Sequence, residues 1–520
     1  MASSVLARLG FGPKAQQAAE DHALGMAYAE RVDRKQLFTD LFTHISYMAS
    51  LATAKASRDV MFTMAARLNL TTTPFIVEIN TLVGRLKYDY AEACRAVAER
   101  TKEPEVSALL LRMSGSLSSG EDEAEFLNRE AAVMAELFEA QYERDIESLR
   151  KWTDAYAALL VSAGLITVVS LISSMIWTLG PGIILVTACM TMIVTAVGTW
   201  IIHVSAPSEK FTRKAGLSSP DQLKALKLLR TVGAAGVLLG LVMWAVTGQF
   251  GIGFIVAGIG LLPGGWYMSH DQKKMGRLDA DISPALRMLG GVTSAISSTV
   301  RDALTKVDRR SLGKLEPYFR RLEARMGASI SPDRCWRRFV QETGSELIER
   351  STSIFWDALT IGGEPLQTGK NAAFFAAKIS LLRAKRELVA STFGYLVMPL
   401  HAAMCGLLVF IVHVMALFAT SLAAAAPELP QDTSAAVDVA TVAGFNTFAD
   451  LNFSFLNILV TMIVMAFTFA NSVAPWGASG GHRIRAVYLL GQMMIVAGAV
   501  MVVIPPAANS IFNTITAPAR

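Results

Sequence analysis

The distribution of positive charge constrains this chain more than any other feature of its sequence. All of its 48 Lys and Arg residues except Arg520 fall in four blocks, at residues 1–154, 205–230, 271–390 and 483–485. Long apolar stretches without a single cation separate these blocks. Lys and Arg resist transfer across a bilayer and gather in cytoplasmic segments. The pattern therefore predicts a multi-pass membrane protein with two large cytoplasmic domains.

Seven apolar stretches are long enough to cross a bilayer as helices, which takes about 20 residues each. They lie at about 155–178, 182–204, 231–248, 251–269, 392–424, 453–474 and 486–510. A cytoplasmic N-terminus places all four cation blocks in the cytoplasm, with the C-terminus and the cation-free loop 425–452 outside the cell membrane. Residues 1–30 contain no apolar core of a cleavable signal peptide, so we expect the first span to act as the insertion signal.

The same pattern divides the chain into successive segments. We predict an N-terminal cytoplasmic segment (1–37), a first cytoplasmic helical domain (38–154), four transmembrane helices (155–269) with a cytoplasmic linker (205–230), a second cytoplasmic helical domain (270–391), and three transmembrane helices (392–520) with an exterior loop (425–452). Both cytoplasmic domains show helical periodicity and no useful strand-like alternation. The expected fold class is all-α polytopic, with about seven transmembrane helices and two duplicated cytoplasmic helical bundles.

The two cytoplasmic domains share a faint internal repeat. The segment Leu117-Ser-Ser-Gly-Glu121 and the segment Thr360-Ile-Gly-Gly-Glu364 each precede a charged helix that runs into a span. In each copy a glycine ends one helix, and an acid begins the next, where its charge favours the positive helix end. These corners, Gly120-Glu121 and Gly363-Glu364, are interpreted as good helix–helix turns or as docking points for a partner, and the two readings are compatible.

Arginines crowd the second cytoplasmic domain. They form the groups Arg309-Arg310, Arg320-Arg321-Arg325 and Arg334-Arg337-Arg338. Solvated or lipid-facing helix surfaces explain such groups, and so does a docking surface for an acidic partner. Nucleic acid is disfavoured as a partner, because only Trp336 and Phe339 interleave with these cations.

No pattern of residues predicts an enzyme or a cofactor. The stretch from Gly363 to Lys370 has five residues between its glycines, where a phosphate-binding loop needs four. His401 and Cys405 lie four residues apart on the fifth span, with His413 beyond them, and helix packing explains them better than a metal site. The four cysteines are scattered, so no disulfide framework is expected.

The apolar spans lack the groups that ion-driven machines use. Residues 155–204 and 231–269 contain no Asp, Glu, Lys or Arg, which argues against a proton-powered motor and against most coupled transporters. Glycines in the fourth span, Gly251, Gly253, Gly258 and Gly260, are expected to allow close helix packing.

Several short motifs, taken in order, resemble a known family. They are Met113-Ser-Gly-Ser-Leu-Ser-Ser-Gly-Glu121 followed by Glu125-Phe-Leu127, Ile361-Gly-Gly-Glu364, Ala384-Lys-Arg-Glu387, Gly394-Tyr395 with Met398-Pro-Leu400, Val409-Phe-Ile411 and Gly480-Gly-His-Arg483. The chain resembles the membrane platform proteins of the archaellum, the archaeal flagellum, within the type II secretion F-domain and type IV filament platform superfamily. Tight-adherence pilus platform proteins are the next most similar.

The resemblance implies a non-enzymatic role without a cofactor or metal. Platforms of this kind bind a hexameric secretion ATPase through their cytoplasmic domains and help to insert pilin-like subunits at the base of a filament. The resemblance also implies self-association as a dimer or trimer in the bilayer. On this interpretation the candidate ATPase-docking residues are Gly120, Glu121, Gly363, Glu364, Arg309, Arg310, Arg334, Arg337 and Arg338. A transporter or permease, or a membrane scaffold or receptor for signalling, is the alternative reading of the spans alone.

The charge pattern makes a prediction about topology. A reporter fused after residue 440 should be exterior, because loop 425–452 carries no cation, and one fused after residue 300 should be cytoplasmic, because residues 271–390 are cation-rich. Protease accessibility in right-side-out vesicles measures both positions. Protection of residue 440 would contradict the orientation.

Overall fold

The computed structural model describes residues 34–176, 181–209, 220–425 and 453–516. These residues form helices joined by short turns, and this part of the chain contains no β-strand. The all-α prediction is thus confirmed. Nearly all of the predicted exterior loop 425–452 lies outside the described residues.

The α-helices follow one another closely along these ranges. In chain order they are α1 (Arg34–Ala52), α2 (Arg58–Ala65), α3 (Thr73–Leu86), α4 (Tyr90–Arg100), α5 (Pro104–Ser119), α6 (Glu123–Ile176), α7 (Pro181–Ser205), α8 (Pro220–Leu228), α9 (Ala234–Thr247), α10 (Phe250–Ala295), α11 (Val300–Lys306), α12 (Glu316–Gly327), α13 (Pro332–Thr343), α14 (Glu346–Thr360), α15 (Pro365–Ala425), α16 (Phe453–Ser479) and α17 (Ile484–Thr516). A π-helical turn, Leu229–Gly233, joins α8 to α9, and a 3-10 turn, Arg309–Leu315, precedes α12.

Seven helical stretches in the described residues are long and apolar enough to cross a membrane. They are α6, α7, the run from α8 to α9, α10, α15, α16 and α17, in agreement with the seven predicted spans. Only 11% of the apolar window of the α8–α9 run is buried within the protein. Large apolar side chains such as Leu238 and Val246 are therefore exposed where a soluble protein would cover them, as expected for contact with lipid. The chain is a multi-pass membrane protein.

The chain divides into two compact units. Among the described residues, unit 1 comprises 34–144, 207–209 and 274–384, and unit 2 comprises 145–176, 181–206, 220–273, 385–425 and 453–516. Most residues of both predicted cytoplasmic domains belong to unit 1, whereas the apolar spans belong to unit 2. The boundaries 38–154 and 270–391 stay predictions.

The core of unit 1 joins sequence-distant helices through α1. Phe42 is fully buried, and its ring lies 5.9 Å from that of Phe138 and 5.0 Å from that of Phe375. On the same helix, the Tyr47 hydroxyl donates a 3.0 Å hydrogen bond to Asp357 of α14. Helix α1 therefore packs against residues of both predicted cytoplasmic domains.

In unit 2, α10 packs closely against its neighbours through glycines on two sides. A Cβ on Gly260 would lie 2.5 Å from the Cα of Gly236 in α9, and one on Gly253 would lie 2.8 Å from the carbonyl of Gly240. Towards α17, a Cβ on Gly251 would lie 2.9 Å from the carbonyl of Gly498. Gly258 approaches Gly491 in the same way. The interpretation of these glycines as packing residues is confirmed.

The Gly480-Gly481 motif ends α16 beside a buried arginine of unit 2. Arg386 is 3% exposed and donates from Nε to the carbonyl of Ala478 at 2.9 Å, at a helix end where carbonyls lack helical partners. Gly480 and Gly481 have φ values of +69° and +93°, and a Cβ on Gly480 would lie 2.7 Å from Nη2 of Arg386. Glycine is therefore favoured in this motif for two reasons. The backbone is left-handed, and a side chain at Gly480 would lie too close to the guanidinium of Arg386.

Replacing Gly480 tests this account of the helix end. Gly480→Ala should destabilise the protein by about 1–2 kcal/mol from the left-handed backbone alone, with a further cost from the contact to Arg386. Thermal unfolding of the detergent-purified protein measures the change. Gly276→Ala is the matched control, because that glycine lies within α10 and a methyl group added there would meet no atom within 4 Å, so the change should be neutral or stabilising. Equal melting temperatures for the two variants would contradict the account.

Candidate functional site

The first predicted corner is a tight turn between α5 and α6. Gly120 follows α5 with a φ of +74°, and the Asp122 carboxylate accepts a 2.9 Å hydrogen bond from the backbone N–H of Glu125 in the first turn of α6. Glu121 forms an ion pair with Arg129, N to O 2.5 Å. The hydrogen bond from Arg129 holds the pKa of Glu121 below its usual range, so this carboxylate stays charged at neutral pH.

In the second predicted corner, the left-handed backbone and the close packing contact belong to two different glycines. Gly362, with a φ of +95°, supplies the left-handed backbone that Gly120 supplies in the first corner. Gly363 is buried, and a Cβ there would lie 2.8 Å from the carbonyl of Ala358 and 3.0 Å from Oγ1 of Thr53. The Glu364 side chain is exposed, and its backbone N–H donates to the same Thr53 hydroxyl at 3.3 Å. The second corner is therefore fixed against the residue that follows α1.

The arginine groups lie on the 3-10 turn and on helices α12 and α13 of unit 1. Arg309 and Arg310 are exposed on the turn, where Asp308 caps the backbone N–H of Arg310 at 3.0 Å. Arg309 also forms an ion pair with Glu323 of α12 at 3.1 Å. On α13 the predicted docking residues Arg334, Arg337 and Arg338 are all exposed.

Glu342 joins the arginines of α12 to those of α13. Its carboxylate accepts from Nε of Arg321 at 2.8 Å and from Arg325, and Nε of Arg338 lies 3.7 Å away. Burial raises the pKa of Glu342, but the hydrogen bonds from Arg321 and Arg325 outweigh that effect and lower it overall. One carboxylate thus organises three cations, and the surface keeps an excess of positive charge. Sequence analysis missed this role, although the four-residue spacing from Arg338 to Glu342 was a usable signal.

A second charged centre of unit 1 is buried and was not predicted. Arg383 of α15 donates from Nε to Glu209 and from Nη1 to Asp279, each at 2.6 Å. Tyr142 donates to the other oxygen of Glu209 at 3.0 Å, and Ser345 hydrogen-bonds to Asp279. Burial opposes the charge on Arg383, but the two carboxylates outweigh it and raise the pKa of the guanidinium, which stays charged. The partners lie 174 and 104 residues away in sequence, so no local pattern could have revealed them.

Unit 2 contains a buried polar cluster around His401 and Cys405. The Tyr156 hydroxyl donates to Asn471 at 2.7 Å, the Asn471 amide donates to Nδ1 of His401 at 3.1 Å, and Cys405 Sγ lies 3.6 Å from that ring nitrogen. These side chains come from α6, α15 and α16 and are fully or almost fully buried. The interpretation of His401 and Cys405 as packing and helix–helix hydrogen-bonding residues is confirmed. Across the described ranges, no group of three His, Cys, Asp or Glu residues could hold a metal ion.

The Arg383 centre predicts a large stability effect. Arg383→Met should leave Glu209 and Asp279 buried without their cation and destabilise the protein by about 3–5 kcal/mol. Arg100→Met is the matched control, because Arg100 is largely exposed and lies 3.6 Å from Glu78, a pair worth about 0–1 kcal/mol. Thermal unfolding in detergent compares the two variants.

A triple variant separates loss of the charge pair from loss of packing. Arg383→Met/Glu209→Gln/Asp279→Asn should recover part of the lost stability, because no uncompensated buried charge remains. Equal stability of Arg383→Met and Arg100→Met would show that the buried centre contributes nothing to the fold.

Comparison with curated proteins identifies two relatives. The chain is 25% identical over 312 residues to a flagella accessory protein J of Methanocaldococcus jannaschii, covering 57% of this chain and 55% of the relative. It is 22% identical over 325 residues to the protein of the same name from Methanococcus voltae, covering 60% of this chain and 58% of the relative. The matches therefore span little more than half the length of each relative.

The other comparisons add no further relative. No protein-family model matches the chain. No solved structure matches it. Both relatives are named as flagella accessory proteins, so the predicted resemblance to archaellum proteins is confirmed. The chain is similar to these two flagella accessory proteins over a little more than half of its length.

Proposed function

We propose that this protein is the membrane platform of a type IV filament machine, most closely an archaellum. In this role it binds a cytoplasmic hexameric ATPase and couples the motion of that partner to the insertion of filament subunits, and to rotation where the filament rotates. The relatives named flagella accessory protein J support the assignment. The multi-pass helical fold fits a protein that works within the bilayer.

The mechanical part of the proposal rests on two unusually long helices. Helix α6 begins three residues after Gly120 and continues for 54 residues, and α15 begins directly after Glu364 and continues for 61 residues. A straight helix of 54 residues is about 80 Å long, and a bilayer span uses only about 20 residues of it. Each corner therefore starts a continuous helix that also contains a complete span. A push at either corner could be passed along hydrogen-bonded backbone.

The arginine surface of α12 and α13 carries the docking part of the proposal. Arg334, Arg337 and Arg338 are exposed on one helix, and Glu342 holds neighbouring arginines in place beside them. A preorganised positive surface favours an acidic partner through faster encounter and correct orientation. Because the first four spans contain no Asp, Glu, Lys or Arg, the energy for movement is supplied from outside the chain in this proposal.

The remaining features of the proposal follow from the charge pattern and the family. Unit 1 faces the cytoplasm, the platform self-associates as a dimer or trimer, and the chain itself does not hydrolyse nucleotide. The rival transporter function gains no support from the Tyr156–Asn471–His401 cluster, because these buried side chains bond to one another.

Charge reversal on α13 tests ATPase docking. Arg337→Glu/Arg338→Glu should abolish ATPase co-purification and filament assembly, because truncating a desolvated charge pair at an interface costs about 2–5 kcal/mol. Membrane insertion and protein level should not change. Pull-down of a hexameric secretion ATPase from the same cells, together with electron microscopy of filaments, measures the effect.

Two further variants complete this experiment. Arg95→Glu/Lys102→Glu applies the same charge change at exposed positions of α4 and the turn that follows it, and it should bind the ATPase normally. Arg334→Gln/Arg337→Gln leaves the three arginine partners of Glu342 in place and should weaken binding without reversing any charge. Normal filaments in the Arg337→Glu/Arg338→Glu variant would assign the arginines to lipid or solubility, and docking would be withdrawn.

A further inference from the structure

Unit 1 contains a cavity that neither the relatives nor the proposed platform role explains. Its volume is about 330 Å³, and it is partly open to solvent. It lies among α1, α6, α10 and α15, and its lining residues are Ser46, Ala49, Asn128, Ala131, Arg287, Lys370, Asn371 and Phe374. The lining contains two cations and no carboxylate. This composition is that of an anion site.

The two cations of this cavity differ from most buried or clustered cations of unit 1. Arg309, Arg321, Arg350 and Arg383 each form an ion pair with a carboxylate. No such pair is found for Arg287 or Lys370 in the described part of the chain, and both are exposed at the cavity. Their charges are therefore available to a ligand.

Close backbone contact brings the two cations to one place. A Cβ on Gly290 of α10 would lie 2.9 Å from the Cα of Gly369 of α15. Lys370 directly follows Gly369, and Arg287 lies three residues before Gly290, which is one helical turn. The glycine contact thus fixes the distance between the helices that carry the cations.

Two polar atoms at the cavity lack partners although they are buried. The Ser46 hydroxyl belongs to a side chain that is 2% exposed, and neither its oxygen nor Nδ2 of Asn371 has a hydrogen-bond partner in the described part of the structure. The amide oxygen of Asn371 already accepts from Gln367 at 3.1 Å, so its N–H groups remain to be used. Buried polar groups of folded proteins are nearly always satisfied. Ser46 and Asn371 both line the cavity, and a ligand with acceptor oxygens would satisfy their unpaired hydroxyl and amide N–H.

We propose that this cavity binds a small phosphorylated ligand. Phosphate oxygens accept from a guanidinium fork and from an ammonium group, which Arg287 and Lys370 supply, and Ser46 and Asn371 add neutral donors. Phe374, 36% exposed, offers an aromatic face for the remainder of the ligand. The volume is at the lower end for ligand sites and suits a molecule up to about the size of a nucleoside monophosphate. The spacing around Gly363 and Gly369 is not that of a phosphate-binding loop, so the proposal is binding without hydrolysis.

Calorimetric titration of the full-length protein in detergent tests this site. The probes are adenosine 5′-monophosphate and inorganic pyrophosphate, with adenosine as the probe that lacks phosphate. We expect saturable binding of at least one phosphorylated probe in the micromolar to millimolar range and none of adenosine. Arg287→Gln/Lys370→Gln should weaken that binding at least about tenfold, because both charge-assisted contacts are lost.

Two matched variants separate the site from general charge effects and from misfolding. Arg95→Gln/Lys102→Gln removes the same charge elsewhere on unit 1 and should bind the probe normally. Ser46→Ala should weaken probe binding several-fold but should not lower the melting temperature of the unliganded protein, because it removes an unsatisfied buried hydroxyl.

The outcomes either support the site or overturn it. Absence of saturable binding of both phosphorylated probes up to about 10 mM, well beyond the affinity expected of such a ligand, would overturn the proposal. Equal weakening in the Arg95→Gln/Lys102→Gln variant would show non-specific charge binding and would overturn it as well. The titration contains no ATPase, so its result is independent of the platform role.

Discussion

Close approach of helix backbones at glycine is the constraint on which this structure depends. Lipid is as apolar as the helices themselves, so burial alone gives spans little reason to associate, and tight packing must supply the attraction. Helix α10 uses glycine for this purpose against α9 and α17 in unit 2, and again at Gly290 against α15 in unit 1. A methyl group at most of these positions would overlap backbone atoms, which cannot move as a flexible side chain can. The glycines therefore set the positions of side chains that have other tasks, including Arg287 and Lys370.

Unit 1 contains two kinds of charge arrangement, one buried and one at the surface. Buried centres such as Arg383 with Glu209 and Asp279 join distant segments. Removing one member destabilises the fold because it leaves an uncompensated buried charge. The surface arginines of α12 and α13 are instead partly exposed and share the single carboxylate of Glu342. Such exposed pairs contribute little stability but keep positive charge in a defined arrangement. This division is consistent with the proposed platform role, in which the fold would withstand forces applied at the proposed docking surface.

The sequence predicted the helical class, the seven spans and the packing role of the fourth-span glycines, because bilayer insertion and backbone approach depend on local composition. It also predicted that a helix ends at Gly120. It did not distinguish Gly362 from Gly363, since the role of Gly363 depends on Thr53, a residue about 310 positions earlier. The Arg383 centre and the 330 Å³ cavity could not be predicted from the sequence either, because each is assembled by tertiary contacts among segments that share no sequence pattern.

Helix α1 has a consequence for the time course of biosynthesis. Its Tyr47 and Asp40 bond to Asp357 and Arg350, both 310 residues further along the chain. At translation rates of about 5–20 residues per second, α1 must wait on the order of 15–60 seconds for these partners to leave the ribosome. Four spans are threaded into the membrane during that interval, while Phe42 lacks the rings of α15 that later enclose it. The N-terminal block therefore stays without these partners until the first four spans have been synthesised, although the last three spans are still to come.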